Sequence, residues 1–377
     1  MCIFDGIRRK LAADYLLSHF NTSTVVSTLS LRLSLYKIAA FAQGRVKDEL
    51  LPTLGYKKIS EIKTSYEDLE EPLTKLKNID FILFNRIFVN YTNEFKNTFL
   101  STEFGVQVDK VGFKYPETAT KFINKLIDGV TYKRIADVIK TNDIHNETSL
   151  LAVNVAYLKV TLEVPFDLRQ TKYSKFRQYN GKISSVPMMR KTETVLYIDD
   201  DFNKIKVINM KLASAGISMT VVIPIDLQSL NDFLNNLDKP DFFRKIKRRM
   251  RFELVDVEIP RFKIKTAIDW MDSLKKIGLK TIFDKNTTGL DSILKETAQN
   301  HHIHLSRAKQ KNFLQVDEMG VFRQPPQEEL KPKPADQRFA MEAIADRPFF
   351  FCINLHYDRS DYLKVEDIFS GIYFGPE

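Results

Sequence analysis

The stretch SLLAVNVAYLKVTLEVPFD, residues 149–167, decides the class of fold because it separates two parts of the chain with different patterns. Residues 149–162 are largely apolar and include β-branched and aromatic side chains, a composition typical of a β-strand. Helical patterns precede this stretch, and strand patterns follow it. We therefore expect helices and strands to be segregated along the chain.

Strands dominate the sequence from about residue 150 onward. The predicted strands are apolar runs bounded by turn residues: ETVLYIDD (193–200), KVINMKL (206–212), SMTVVIPI (218–225), FELVDVEIPRFKIK (252–265) and PFFFCINLHY (348–357). IDWMDSLKKIGL, residues 268–279, is predicted to be a helix between them.

The first 150 residues are mostly helical in pattern. Residues 1–20 form an amphipathic pattern, as do residues 122–139. Residues 24–44 space apolar side chains so that one helix face is buried, and Gly44 is expected to end that helix. Helices followed by strands indicate an α+β fold rather than a regular parallel α/β sheet.

The composition is that of an ordinary globular protein. The chain has 377 residues, of which 44% are hydrophobic and 28% charged, so length alone leaves one or two domains open. The net charge of +9 is compatible with a polyanionic partner. With only two cysteines, a disulfide framework is not expected.

The N-terminal segment and the glycosylation sequons bear on the compartment. Charged residues interrupt residues 1–20, so no signal peptide is recognised, and the longest apolar runs are too short to predict a membrane span. The chain is expected to be either cytosolic or a mature form. Four sequons would suit secretion but also arise by chance, so they leave the question open: Asn21, Asn90, Asn146 and Asn286.

Motifs for catalysis are missing from the sequence. There is no G-x-S-x-G, H-E-x-x-H or glycine-rich phosphate loop, so an enzyme is not expected. HHIH, residues 301–304, could bind a metal through His301 and His304, but a solvated loop is preferred because no further ligand follows at a suitable spacing. Cys352 follows three phenylalanines and is interpreted as a buried structural thiol.

RKIKRRMR, residues 244–251, is the densest charged run, with six basic residues in eight positions. Such a run can hold sulfate or phosphate groups because each basic side chain releases counterions from a polyanion. A solvated helix end is the preferred alternative. No interleaved aromatic platform accompanies the run, so nucleic acid is not expected. The candidate residues are Arg244, Lys245, Lys247, Arg248, Arg249 and Arg251.

Ten stretches, in the same order along the chain, resemble the serpin family. They run from about residue 10 to the C-terminus and include VVSTLSLRLSLYKIAAFAQG, NRIFVNY, INKLIDGVTYKRIADVI, SLLAVNVAYLKVTLEVPFD, VPMM, VEIPRFKIK, DSLKKIGLKTIFD, LSRAKQKNFLQVDEMG, ADRPFFFCI and FSGIYFGPE. The resemblance implies a single domain over residues 1–377, with three β-sheets, eight or nine helices and an exposed reactive loop at about 318–343.

The resemblance also implies how the loop works. In inhibitory serpins a protease cuts the loop and forms an acyl-enzyme. The freed loop then enters the central sheet as a new strand and distorts the protease. The stretch DEMGVFRQPPQEELKPKP, residues 317–334, matches the start of this loop, and Glu318, Gly320 and Val321 match its hinge.

The loop sequence departs from that of trapping serpins, whose loops are rich in small residues. A strand inside a sheet sends alternate side chains into the core and needs every backbone N–H. Here one alternate set contains three charged residues, Arg323, Glu329 and Lys331, and both sets contain proline. We therefore predict that full insertion is slow or absent, and that the stiff loop occupies a protease cleft instead.

The position of the scissile bond differs between two ways of counting. Counting from Glu318 places it near Pro334-Ala335, and counting back from Pro348 places it near Gln337-Arg338. The candidate scissile region therefore comprises Lys333, Pro334, Ala335, Gln337 and Arg338. Neither a trypsin-like nor a chymotrypsin-like bait is clear, so both serine and papain-like cysteine proteases stay open as targets.

The family has a small polar cluster that controls separation of the central strands. The matching residues are Ser27, Ser30, Asn154 and Gln310, where a histidine is usual at the last position. Glutamine can both donate and accept hydrogen bonds, so the cluster is expected to survive with altered strength.

The resemblance favours a protease inhibitor that binds a serine or cysteine protease. The alternative is a non-inhibitory serpin with a carrier, chaperone or storage role, and either could also bind a sulfated polyanion. We expect a monomer without cofactor, metal, nucleic acid or membrane partner. The resemblance implies secretion, with a cytoplasmic location as the alternative.

Overall fold

The computed structural model describes residues 4–76, 79–214, 216–239, 241–295, 302–318, 340–359 and 362–376. The helices are α1 (Phe4–Ser18), α2 (Thr28–Ala39), α3 (Gly44–Leu54), α4 (Ile59–Lys75), α5 (Asn97–Leu100), α6 (Pro116–Val130), α7 (Leu227–Asn236), α8 (Phe242–Arg249) and α9 (Met271–Lys276). The strands are β1 (Thr24–Val26), β2 (Phe81–Asn90), β3 (Gln107–Val111), β4 (Leu150–Val160), β5 (Lys172–Arg177), β6 (Ile183–Asp200), β7 (Ile205–Lys211), β8 (Ile217–Pro224), β9 (Arg251–Pro260), β10 (Phe262–Asp269), β11 (Leu305–Val316), β12 (Met341–Ile344), β13 (Phe349–Arg359) and β14 (Tyr362–Tyr373).

The first sheet has five strands in the order β10-β11-β4-β2-β3. At its centre, β4 and β11 pair in parallel. Strand β10 pairs antiparallel with β11, and β2 pairs antiparallel with β4. Strand β4 is buried along nearly its whole length because both faces of the sheet are covered. Helix α6 packs on one face through Ala119, Ile123 and Ile127, and α2 lies against the other.

The second sheet has nine strands, most of them in the order β1-β14-β13-β8-β7-β6-β9-β12, with β5 pairing to β6. Strand β6 is 18 residues long and pairs with β5, β7 and β9 along different parts of its length. At the opposite edge, β1 pairs with β14 in the register Thr24 to Ile372. The N-terminal and C-terminal strands are therefore neighbours.

Local signals in the sequence account for several helix ends. The side chain of Asp226 accepts a hydrogen bond from the backbone N–H of Ser229 and caps α7. Pro116 occupies the first turn of α6, where a missing N–H costs little. Gly55 ends α3 with φ of +81°, a left-handed conformation that glycine adopts without a steric cost.

The α+β fold is confirmed, with two differences in detail. The resemblance implied three sheets, but β6 joins two of them into one continuous nine-stranded sheet among the described residues. The structure also contains three strands, β1, β2 and β3, before residue 150, in a part of the chain that was predicted to be mostly helical. None of the helices described is both long and apolar enough to cross a membrane.

The helix predicted over residues 24–44 was wrong at both ends. Thr24–Val26 form β1, and helix α2 ends at Ala39, while Gly44 begins the next helix. Helix α2 is buried on every side rather than on one face, because it lies between the two sheets. A periodicity argument for one buried face cannot identify a helix of this kind.

Candidate functional site

The polar cluster lies where the two central parallel strands meet α2. Asn154 of β4 stands directly beside Gln310 of β11 in the register of the sheet. Asn154 is fully buried, and Gln310 is 1% exposed. The predicted members Ser27 and Ser30 lie at the start of α2, so the structure brings all four residues to one place.

Asn154 connects β4 to α2. Its Nδ2 donates hydrogen bonds to the backbone oxygen of Ser30 at 3.0 Å and to Ser34 Oγ at 2.8 Å, and it lies 2.9 Å from the side-chain amide of Asn85 on β2. Its Oδ1 is buried and has no hydrogen-bond partner among the described residues. The cluster thus holds the strands against α2 but leaves one buried acceptor unsatisfied, which costs free energy.

Gln310 connects β11 to the residue that caps α2. Its Nε2 donates to the backbone oxygen of Ser27 at 2.8 Å, and its Oε1 accepts from Asn312 Nδ2 at 3.0 Å. The hydroxyl of Ser27 donates to the backbone oxygen of Ile368 at 2.7 Å. Separating β4 from β11 would therefore disturb a buried network that reaches both sheets.

Glu318 lies two residues beyond β11 and is 3% exposed. Its Oε1 accepts a hydrogen bond from Thr171 Oγ1 at 2.7 Å and forms an ion pair with Arg261 Nη2 at 2.5 Å. Arg261 joins β9 to β10, and Thr171 immediately precedes β5. We call Glu318, Arg261 and Thr171 the hinge clamp, because they fix the end of β11 to the second sheet.

The charge of Glu318 is stabilised within the hinge clamp. Burial opposes ionisation of the carboxyl group, but the hydrogen bonds from Arg261 and Thr171 outweigh this effect and lower its pKa below 4.5. Because the pKa is lowered in the folded state, the clamp stabilises the fold above pH 4.5. This stabilisation is lost as the pH falls through the lowered pKa.

Most of the predicted loop lies outside the described residues. This applies to the hinge residues Gly320 and Val321 and to the candidate scissile region, Lys333, Pro334, Ala335, Gln337 and Arg338. The predicted C-terminal end of the loop, at about residue 343, overlaps a strand. Met341–Ile344 form β12, which pairs in parallel with β9, so the backbone hydrogen bonds of Met341–Ala343 belong to the sheet.

The basic run forms α8 and the beginning of β9. Helix α8 buries Phe243 and Ile246 and turns its basic residues in several directions. Arg244 forms an ion pair with Asp241, and Arg249 lies 3.3 Å from the buried carboxylate of Asp200. Arg251 donates to backbone oxygen atoms of Arg248 and Met250. The exposed side chains of the run are those of Lys245, Arg248, Arg249 and Arg251.

Lys247 differs from the rest of the run because its side chain points inward. Its ammonium group donates to Asn354 Oδ1 at 3.0 Å, and Asn354 donates in turn to the buried carboxylate of Asp367. Arg9 of α1 pairs with the same carboxylate at 2.9 Å. Lys247 therefore belongs to a buried polar network rather than to an anion-binding surface.

His356 lies beside this network and gives a prediction for acid stability. Burial and the nearby Lys247 lower its pKa from 6.5 to about 4. The unfolded chain takes up a proton below pH 6.5 while the folded protein does not, so stability falls as the pH decreases towards 4. We expect the free energy of unfolding to fall by about 2 to 3 kcal/mol between pH 7 and pH 4.5 through this group.

Urea unfolding at the two pH values measures this loss. In His356→Gln, which can keep a hydrogen bond to Ser218, the pH dependence should be smaller by that amount. The control His145→Gln replaces an exposed histidine and should keep the dependence of the unmodified chain. An unchanged dependence in His356→Gln would show that other groups cause the acid sensitivity.

The other two candidates for chemistry occupy structural positions. Cys352 is fully buried in β13, and burial raises the pKa of its thiol, as expected for a structural cysteine. Of the HHIH stretch, His302 pairs with Asp291 at 2.9 Å and His304 contacts Ser306 Oγ at 3.1 Å, while His301 lies outside the described residues. No group of three ligating side chains suited to a metal ion occurs in the described ranges.

Several residues of the site were not predicted from the sequence. Asn85 and Ser34 complete the cluster, and Arg261 and Thr171 complete the hinge clamp. Asn85 carried a signal, since it directly follows the apolar run FILF, and an amide that is buried within a strand needs a partner. Arg261 and Thr171 carried no such signal, because their role depends on where distant segments meet.

A protein-family model and individual relatives both match this chain over most of its length. The family model for Serpin (serine protease inhibitor) matches residues 9–362. Antichymotrypsin-2 of Bombyx mori is 23% identical over 353 residues, which cover 93% of this chain and 91% of that protein.

Solved structures share the same architecture. Serpin48, described as a highly specific serpin in the insect Tenebrio molitor, superposes with a TM-score of 0.81 at 22% identity over 99% of this chain and 97% of that one. Native protease nexin-1, solved with heparin, superposes with a TM-score of 0.82 at 21% identity over 99% of this chain and 98% of the other. Since the family model spans most of the sequence and the folds agree over nearly the whole length, the chain belongs to the serpin family.

Proposed function

We propose that this serpin inhibits a serine or papain-like cysteine protease by presenting its loop as bait, with little or no insertion of the loop afterwards. The observation that carries the proposal is the hinge clamp. Glu318 is buried and paired with Arg261 on one side of the loop, and β12 resumes the fold at Met341 on the other. A segment held at both ends loses less conformational entropy when a protease cleft binds it.

The central strands set the conditions for insertion. Strands β4 and β11 pair over Leu150–Val160 and Leu305–Val316, and an inserted strand would replace that ladder. Its inner face would lie against α2, where side chains are fully buried, while its outer face would meet half-buried positions such as Lys309 and Lys311.

The loop sequence fits these conditions poorly. The set with fewer charges contains Phe322, Gln324 and Leu330, but it also contains Glu328 and Pro326. Turning this set inward buries a carboxylate without a partner, and Pro325 and Pro326 each remove a backbone donor from the ladder. This sequence supports inhibition by prolonged occupation of the protease rather than by trapping.

Titration of protease activity tests the proposal. Trypsin-like, chymotrypsin-like, elastase-like and papain-like proteases are incubated with increasing amounts of the protein, and residual activity is measured. We expect one class to lose activity at near-equal amounts. The variants Arg338→Ala and Lys333→Ala then show which side of the scissile region is recognised. Full activity of every class would contradict inhibition and favour a carrier, chaperone or storage role.

The melting temperature after cleavage distinguishes occupation from trapping. Because insertion of the loop would add a paired central strand, a large rise would contradict the proposed mode of inhibition. We expect the cleaved protein to melt within a few degrees of the intact one.

A second function, binding of a sulfated polyanion, is favoured by two side chains of α8. Lys245 and Arg248 are exposed, and neither forms an ion pair with any described residue. They lie three positions apart and share a face of the helix. Protease nexin-1, which shares the fold, was solved with heparin, and this makes an immobilised sulfated polysaccharide a reasonable probe.

The double variant Lys245→Ala/Arg248→Ala tests this second function. We expect it to elute from the immobilised polysaccharide at lower salt, with the slope of log affinity against log salt reduced by about two. Lys121→Ala/Lys125→Ala removes equal charge from exposed positions on α6 and should elute like the unmodified chain. An equal loss of retention in both double variants would indicate that binding to the polysaccharide responds to net charge alone.

A further inference from the structure

A groove of about 700 Å³ lies between α4, α2, β2 and the segment Thr102–Gly105. Alternate residues of β2 form part of its floor: Phe81, Leu83 and Asn85. The apolar side chains of Phe81 and Leu83 are only half-buried, because no element of the described fold covers them at this point. The size and the largely apolar lining match those of small-molecule sites in other proteins.

One face of α4 forms a wall of the groove. Residues at helical spacing along this face line the space: Ile59, Lys63, Tyr66, Glu67, Glu70, Leu73 and Thr74. The buried side chains Ile62 and Leu69 of the same helix pack into the core and hold this face in place. The groove is therefore a fixed feature between packed elements.

The charge of the lining is opposite to that of the whole protein. The chain carries a net charge of +9, yet the groove is lined by three carboxylates, those of Glu67, Glu70 and Glu103, and by one ammonium group, that of Lys63. Glu103 lies 3.5 Å from the buried Lys37 and is partly compensated. Glu67 and Glu70 are exposed and form no ion pair with described residues, so they are available to a cation.

Aromatic rings stand beside these carboxylates. The rings of Tyr66 and Phe104 meet edge to face with centroids 5.3 Å apart. Burial and the charge of Glu70 raise the pKa of Tyr66 to about 12, which agrees with a carboxylate close to the phenol. Aromatic faces next to carboxylates favour an organic cation, because both the ring and the carboxylate attract positive charge.

We propose that the groove between α4 and β2 binds a small organic ammonium compound with an apolar body. The apolar part lies over Phe81, Leu83 and Leu73, and the ammonium group lies between Tyr66 and the carboxylates of Glu67 and Glu70. An anionic compound with the same body is disfavoured by the same carboxylates. The inference concerns a surface separate from the loop and does not depend on protease inhibition.

Occupation of the groove also reaches the polar cluster. Asn85 lines the groove and lies 2.9 Å from Asn154 Nδ2, which holds β4 to α2. A ligand in contact with Asn85 therefore touches the network beside the central strands. This contact is a route by which a bound amine would change the stability of that network.

Three probes with one body and different charges test the proposal: 8-phenyloctylamine, 8-phenyloctanol and 8-phenyloctanoate. Each is titrated into the full chain at neutral pH and followed by calorimetry. We expect the amine to bind at least about fivefold more tightly than the alcohol, which corresponds to one partly exposed ion pair. We expect the carboxylate to bind more weakly than the alcohol.

Variants assign the binding to the groove. Glu67→Gln/Glu70→Gln should remove the preference for the amine while leaving binding of the alcohol unchanged. Glu71→Gln, on the same helix but outside the lining, should keep the preference. Thr74→Trp places a large ring at an exposed position on the rim and should weaken the binding of all three probes. An unchanged melting temperature of this variant confirms that its fold is intact.

Several outcomes would overturn the proposal. One is the absence of binding of the amine up to about 1 mM. Another is equal binding of the amine and the carboxylate, which would indicate an unselective apolar surface. A third is equal loss of preference in Glu71→Gln and in the double variant, which would place the effect outside the groove.

Discussion

Replacing Glu318 by lysine is expected to lower the free energy of unfolding by about 3 kcal/mol. The substitution puts an ammonium group at a position that is 3% exposed and directly beside the guanidinium of Arg261. It also leaves Thr171 without its acceptor. We take the lower end of the range for a broken buried ion pair because the Arg261 side chain is 42% exposed and is partly screened by water.

Thermal and urea unfolding measure this loss. A decrease of about 3 kcal/mol corresponds to roughly 4 °C in melting temperature, because the entropy of unfolding grows with the 377 residues of the chain. Hydrogen exchange should also become faster at the end of β11, which the clamp holds. Glu318→Gln removes the charge without reversing it. Its free energy of unfolding should lie between those of the unmodified chain and Glu318→Lys.

Two further variants control for charge and for position. Glu163→Lys makes the same charge change at a nearby exposed residue and should have little effect. The exchange Glu318→Arg/Arg261→Glu restores opposite charges and should recover part of the stability. If Glu318→Lys is as stable as Glu163→Lys, the hinge clamp does not hold the end of β11.

Replacing Asn154 by alanine is the second large expected effect, a loss of about 3 to 5 kcal/mol. The substitution leaves the carbonyl oxygen of Ser30 and the hydroxyl of Ser34 without their buried donor. Each such group costs roughly 1 to 3 kcal/mol when it is left unsatisfied. A small cavity between β4 and α2 adds to the loss.

Asn154→Leu separates the polar effect from the cavity. Leucine fills the space, so the stability that is still missing in this variant measures the lost hydrogen bonds. A double-mutant cycle with Ser34→Ala then gives the coupling between the two side chains. If Asn154→Leu unfolds at the same urea concentration as the unmodified chain, the cluster does not stabilise the native sheet.

The fold could be predicted from the sequence because many short stretches match the serpin family and occur in the family's order along the chain. The cluster was predicted from the resemblance to the serpin family, which matches Ser27, Ser30, Asn154 and Gln310 to the family's polar cluster. Prediction from the sequence failed at α2, whose apolar residues occur on all sides because the helix is enclosed between two sheets. Periodicity identifies a helix with one buried face and gives no signal for one that is fully enclosed.

The sequence also did not predict contacts between residues that only the tertiary structure brings together. Arg261 and Thr171 lie 57 and 147 positions from Glu318, and no local pattern connects them. The basic run shows the reverse case, since six charges adjacent in sequence diverge in space. Lys247 points to Asn354, whereas Arg249 pairs with Asp200, so a linear run overestimates the anion-binding surface.

The pairing of β1 with β14 has a consequence for synthesis of the protein on the ribosome. Thr24–Val26 emerge early, but their partner strand Tyr362–Tyr373 is among the last segments to be translated. The first strand must therefore wait without its neighbour through most of elongation, and β13, which joins β14 to β8, is also late. Long-range pairing of this kind slows folding and leaves strand edges exposed in the nascent chain. Chaperone protection during and shortly after translation is expected to determine how much native protein a cell obtains.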